Sequence, residues 1–235
     1  MTIEYWFDDE DYTIDSFNEL IKLDNYNDII YINCSDCNLT ELPKLPNSLE
    51  EIYCANNMLT LLPDLPNSLI ELYCSNNMLK ELPDLPDSLK ALQCKYNQLK
   101  ELPEIPDGVE YLNCSYNELT LLPELPNSLI ELYCSNNMLK LLPKLPNSLE
   151  ELDCSNNHLT FLPKLPPKFQ DCFYNFIGNP ANNYIYKTCG GKLEIYYKII
   201  KVFSNKIGEW FLECKYNPEY KYCRNRLNKE YDSYT

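Results

Sequence analysis

Seven cysteines, Cys34, Cys54, Cys74, Cys94, Cys114, Cys134 and Cys154, stand 20 residues apart. Around each runs the phrase Leu-x-x-Leu-x-Cys-x-x-Asn-x-Leu-x-x-Leu-Pro-x-Leu-Pro, clearest in Leu69, Leu72, Cys74, Asn77, Leu79, Leu82, Pro83, Leu85 and Pro86. A register held through seven copies without an insertion restricts the chain to an architecture built by repetition, in which each coil buries its apolar side against the next. Residues 29–180 therefore read as a solenoid of seven 20-residue repeats plus a terminal coil, with an N-terminal cap at 1–28 and a further unit at 181–235.

Each repeat divides into parts with separate jobs. Leu-x-x-Leu-x-Cys alternates as a half-buried strand does, so Leu72 and Cys74 point inward while Glu71, Tyr73 and Ser75 point to the other, concave face. Asn57, Asn77, Asn97, Asn117, Asn137 and Asn157 follow each strand, and Cys37 takes that place in the first copy. A buried amide both donates and accepts, so a ladder of them can satisfy the backbone groups freed at each strand end. Fourteen of the 17 prolines fall at the two return positions. Proline fixes φ and lacks an N–H, which predicts an extended, polyproline-like convex side with Leu82 and Leu85 still facing in.

The ends read as helical caps. Ser16-Phe17-Asn18-Glu19 has the form of a capping box, and Phe17, Leu20 and Ile21 share a helical face, so a helix is expected over 13–24 to cover the first coil or to dock a partner. The last strand fits Tyr174 to Pro180, with Tyr174 and Phe176 inward and Asn179 in the Asn role, in a coil two residues longer. Beyond it, Leu193, Tyr196, Tyr197 and Ile200 recur at helical spacing, as do Ile207, Trp210, Phe211 and Cys214, and Asn217-Pro218-Glu219 opens a third helix. Residues 181–235 are a helical cap or a small recruiting module with Trp210 and Phe211 as anchor.

The net charge is −15 and unevenly placed: residues 1–183 hold 10 Lys/Arg against 29 Asp/Glu, residues 184–229 hold 10 against 4. An acidic surface repels phosphate backbones, so no nucleic acid is expected on the solenoid. Met1 to Tyr12 carries five acids and no basic residue, unlike a signal peptide, and no stretch approaches the length of an apolar membrane span. A soluble, cytoplasmic protein that neither enters a membrane nor is secreted through an N-terminal signal peptide is the expectation.

The seven ladder cysteines read as buried free thiols, since the site wants a small apolar side chain and the rung spacing exceeds what a disulfide prefers. Cys172, Cys189, Cys214 and Cys223 include no Cys-x-x-Cys pair, and the one histidine is His158. A zinc site or a thiol nucleophile at Cys189 stands as the sharper alternative to plain packing. No catalytic residue, metal or cofactor is expected.

The repeat resembles the leucine-rich repeat. Its Leu-Pro-x-Leu-Pro-x-Ser-Leu form is similar to the repeats of secreted bacterial effectors, while the Cys-, Tyr- and Asn-rich version, with the ending Trp210 to Arg224, resembles leucine-rich-repeat proteins of amoeba-infecting giant DNA viruses. The resemblance implies a leucine-rich repeat solenoid with a parallel β-sheet on its concave side, and protein binding without catalysis. Some bacterial relatives carry a large C-terminal ubiquitin-ligase domain with a catalytic Cys. The tail here is far shorter and has no such motif, which leaves an adaptor for such an enzyme as the remote reading.

The concave face is the candidate site. Copies 70–89 and 130–149 differ only at Glu81/Leu141, Asp84/Lys144 and Asp87/Asn147, so they present the same concave residues, Glu71 with Tyr73 and Glu131 with Tyr133. The copies between break the pattern with Lys95, Tyr96, Tyr111, Asn113 and Tyr116, and Asp153 adds acid beyond them. Central aromatics flanked by carboxylates have the makeup of a protein-binding hot spot for a partner with a basic rim. Tyrosine also simply suits exposed strand positions, the plainer reading of Tyr53, Tyr73 and Tyr133, and Met58, Met78 and Met138 read as edge packing. The function expected is protein interaction, with a viral protein acting on host factors as one form of it. The alternative is a structural or particle-associated repeat protein.

Overall fold

A computed structural model describes residues 2–7, 10–162, 165 and 173–182. The chain divides into two compact units, Met1–Pro180 and Ala181–Thr235, and the first is described below. The helices expected in 181–235, together with Cys172, Cys189, Cys214, Cys223, Trp210 and Phe211, lie outside the described residues.

One strand per coil builds the sheet: β3 (Tyr31–Asn33), β4 (Glu51–Tyr53), β5 (Glu71–Tyr73), β6 (Ala91–Gln93), β7 (Tyr111–Asn113), β8 (Glu131–Tyr133), β9 (Glu151–Asp153) and β10 (Phe173–Asn175). They pair in parallel, each residue beside the one 20 further on, and 22 further between β9 and β10. The inward rows are fully sequestered, among them Leu72, Leu92, Leu112 and Leu132 beside the ladder cysteines. All eight described cysteines are free and buried. Burial pushes the Cys114 thiol up to about 12 and the other ladder thiols up as well, so they are poor nucleophiles and poor ligands.

Each strand is short because the chain leaves it through a left-handed residue. Asp36, Asn56, Asn76, Tyr96, Tyr116, Asn136 and Asn156 all have φ between 52 and 58°, and Gly178 takes the same place in the last coil at 80°. The next residue is Asn in every coil but the first, where it is Cys37, and it is buried except for the half-buried Asn97. Asn117 accepts the Leu99 N–H at 3.0 Å and donates to the carbonyls of Cys94 (3.0 Å) and Cys114 (3.1 Å), so one amide ties two coils together. Asn179 does the same for the last coil through Leu159 and Cys154. On the return side Leu82 is buried and Leu85 half-buried. There a second ladder, of serines, bonds neighbouring coils, as in Ser88 to the Leu69 carbonyl at 2.6 Å.

The N-terminal end departs from the expected helix over 13–24. β1 (Ile3–Phe7) and β2 (Glu10–Ile14) form an antiparallel hairpin, and β1 pairs antiparallel with β3. The helix α1 is a single turn, Phe17–Leu20, and Ser16 makes no side-chain cap bond. The physical reason is the open edge of β3, whose backbone groups require a strand partner that a helix cannot supply. Ile3 and Tyr5 then point into the core, where Phe17 and Leu20 join them.

Removing the amide strands a buried N–H and frees carbonyls, each orphaned group costing about 1–3 kcal/mol. Asn117→Ala is therefore expected to lower stability by roughly 3 kcal/mol in urea denaturation, and Leu112→Ala by about 2–5 kcal/mol as a core truncation. An unchanged midpoint in either variant contradicts its assigned place.

Candidate functional site: the concave sheet and its strand-exit edge

Because rungs are in register, outward side chains line up along the solenoid. Trp6 stacks on Tyr31 with ring centroids 4.0 Å apart, Tyr31 meets Tyr53 at 5.4 Å, and Tyr53 stacks on Tyr73 at 4.5 Å. Tyr111 meets Tyr133 at 5.8 Å further along. Between these groups stands Ala91, which is buried. Burial first, then Glu71 and the nearby Tyr111, push the Tyr73 hydroxyl up to about 12.

Carboxylates border the rings. Glu71 accepts the Tyr53 hydroxyl at 3.3 Å, and the Tyr133 hydroxyl lies between the carboxylates of Glu131 and Glu151. Burial and the adjacent Glu71 hold the Glu51 carboxyl above its usual range. Two like charges side by side on this face favour a cation that would neutralise them. Among the described residues no group of three or more His, Cys, Asp or Glu is placed to hold a metal. No helix among them is long and apolar enough to cross a membrane. Two open depressions of about 460 and 470 Å³ lie on the Pro-rich side, the first against Leu85 and Ile105, the second against Leu45 and Leu65.

The ten residues singled out by sequence fall into two groups. Glu71, Tyr73, Tyr111, Asn113, Glu131, Tyr133 and Asp153 stand on the concave strands. Two of these also serve the fold: Asn113 accepts the Ser115 N–H at 3.2 Å and Asp153 the Ser155 N–H at 3.0 Å. Lys95, Tyr96 and Tyr116 lie past the strand ends. Tyr96 and Tyr116 stack on each other at 4.2 Å and are 46% and 44% exposed. Among the described residues no ring contact joins Tyr111 to either of them, so the single central cluster expected from sequence is two separate features. Trp6 and Tyr31, which extend the concave row, were not among those ten. The alternation of Ile3-Glu4-Tyr5-Trp6-Phe7 is the sequence signal that would have placed Trp6 on this face.

The family model for the Leucine Rich Repeat matches residues 148–172. The solved leucine-rich-repeat domain of a Shigella effector is 35% identical with a TM-score of 0.58, over 64% of this chain and 69% of that one. The chain belongs to the leucine-rich repeat family. It is also similar to YopM from Yersinia enterocolitica WA-314, at 41% identity and TM-score 0.58 over 60% of this chain, and to the leucine-rich effector YopM from Yersinia pestis, at 36% and 0.55 over 63%. This leucine-rich repeat chain matches only 31% and 49% of the length of those two. No curated protein matches it.

A left-handed backbone suits Asn and strains Tyr. Tyr96→Asn with Tyr116→Asn, which copies the neighbouring coils, is expected to leave the denaturation midpoint unchanged or raised, and a clear fall contradicts the strain. For Glu51 the raised folded pKa means its contribution to stability is full below the ordinary carboxylate pKa and lost as pH rises through the raised value. The stability gap in favour of Glu51→Gln should therefore widen on going from about pH 4 to pH 7. Parallel urea titrations in which the gap stays constant contradict the raised Glu51 carboxyl, whose cause is burial first and then the neighbouring Glu71.

Proposed function

We propose that this leucine-rich repeat protein is a non-catalytic interaction module whose concave face binds a protein partner with a basic rim. The observation that carries the reading is the ring array from Trp6 through Tyr73, continued by Tyr111 and Tyr133, with Glu51, Glu71, Glu131 and Glu151 beside it. Stacked rings lose little side-chain freedom on binding, so they suit anchors, and basic side chains gain from both ring faces and carboxylates. Asn113 and Asp153 extend the polar border of the same face. The acidic field steers a basic partner inward, an effect that salt screens. A cytoplasmic setting, and action on host factors as a viral protein, belong to the same proposal. They rest on the acidic charge and on the resemblance of the segment from Trp210 to Arg224 to leucine-rich-repeat proteins of giant DNA viruses.

The repeat supplies its own conservative substitutions. Asn or Gln fills the site of Tyr73 in three other copies and Ala that of Tyr111 in another. Affinity capture from cell lysate with the intact protein beside Tyr53→Asn/Tyr73→Asn/Tyr111→Ala, both checked by circular dichroism, is expected to lose its partners in the variant. Retention of the same partners by the variant overturns the concave site.

A further inference from the structure

The return side of the solenoid carries a pattern that the concave face does not absorb. Coils 70–89 and 130–149 are identical except at Glu81/Leu141, Asp84/Lys144 and Asp87/Asn147. All six of these side chains are exposed on the return side, and each exchange removes an acid. Core, ladders and concave rows are the same in both coils, so this surface alone tells them apart. Leu141 also has company. Leu121 fills its position one coil before and Phe161 one coil after, and the three are 63%, 54% and 65% exposed in that order. They are held in register from both sides. The Met138 amide donates to the Leu119 carbonyl and the His158 amide to the Leu139 carbonyl, each at 2.9 Å, while Leu122, Leu142 and Leu162 are anchored in the core. A single exposed leucine, such as Leu61 between the Glu41 and Glu81 of its row, is ordinary, whereas three in adjoining coils make a patch. Charge changes at the same place. Lys80 and Lys100 are followed by Glu81 and Glu101, but Lys140 is followed by Leu141, with Lys144 three residues on. Residues 140–144 thus hold two lysines and no acid, while 80–84, 100–104 and 120–124 each hold one acid more than their lysines.

We propose that the row of Leu121, Leu141 and Phe161 is a second interaction surface, whose occupant is an amphipathic helix of a partner protein with carboxylates beside its apolar stripe. Rung spacing decides the shape of that occupant. Neighbouring coils of a parallel sheet lie about 4.8 Å apart, near the roughly 5.4 Å of one helical turn and well short of the ~6.8 Å between same-side residues of a strand. A helix laid along the solenoid brings one apolar residue to each of the three coils, in the i, i+4, i+7 pattern by which helices dock. Charge decides its flanks, since Lys140 and Lys144 border the middle of the row and carboxylates on the middle turn complement them. An anionic lipid surface would meet the same lysines. Being flat and extended, it would also meet Glu101 and Glu104 of the coil before the row, which a single helix avoids.

The test titrates the full chain into a fluorescent synthetic peptide, held helical by a side-chain staple, with leucines at i, i+4 and i+7 and glutamates beside them. Fluorescence anisotropy is expected to show saturable binding. Leu141→Glu/Lys144→Asp, which copies coil 70–89, should weaken it about tenfold or more while circular dichroism and the denaturation midpoint are kept. Tyr53→Asn/Tyr73→Asn/Tyr111→Ala should leave it unchanged, which separates this surface from the concave one. Absence of binding overturns the proposal, as does binding that survives the double substitution or is lost with the concave rings. Cosedimentation with phosphatidylserine vesicles that the same double substitution abolishes assigns the row to a lipid surface and overturns it as well.

Discussion

The buried Asn amide at each strand exit is the contact on which the rest depends. A three-residue strand offers too few ladder bonds to hold a coil in register alone, and the left-handed turn after it leaves carbonyls pointing inward with no helix or strand to receive them. One side-chain amide takes these carbonyls and accepts a backbone N–H of the preceding coil. Coil spacing and register are therefore set by the same group that completes the hydrogen bonding of the interior. Where Cys37 replaces it, the Asn57 carbonyl oxygen reaches back to the Cys37 and Leu39 amides.

Fixed register turns a sequence repeat into straight surface rows. Tyrosines 20 residues apart become stacked neighbours, and glutamates at equal spacing become facing like charges, which add to burial in raising the Glu51 carboxyl. The fold rests chiefly on the inward rows, the Asn and Ser ladders and the prolines, with Asn113 and Asp153 each adding a bond to the backbone at the strand exit, so most concave positions are not fixed by packing. At the left-handed row two demands meet. Backbone geometry there favours Asn, and the two coils that carry Tyr instead set the stacking of Tyr96 on Tyr116 against a local preference.

Legibility followed how far each constraint reaches along the chain. The 20-residue period and the period-two alternation gave the coil length, the inward leucines and cysteines and the longer last coil ending at Asn179, because these depend on residues within one repeat. The capping-box pattern at Ser16 pointed to a helix over 13–24, yet the segment answers to the open edge of β3, a demand invisible from its own residues. Tyr96, Tyr111 and Tyr116 looked like one cluster because they share the central copies. The turn between the strand and position 96 separates them, and position within the coil outweighed nearness in sequence.

By itself the sequence determined that a coil repeats every 20 residues, which side chains it buries, and that its return path is extended, since proline and apolar periodicity act locally. Tertiary structure alone decided which rings touch, that Trp6 joins the concave row, and that an antiparallel hairpin closes the first coil. These depend on distances between separate coils and on unpaired edge groups, which exist only once the solenoid is wound.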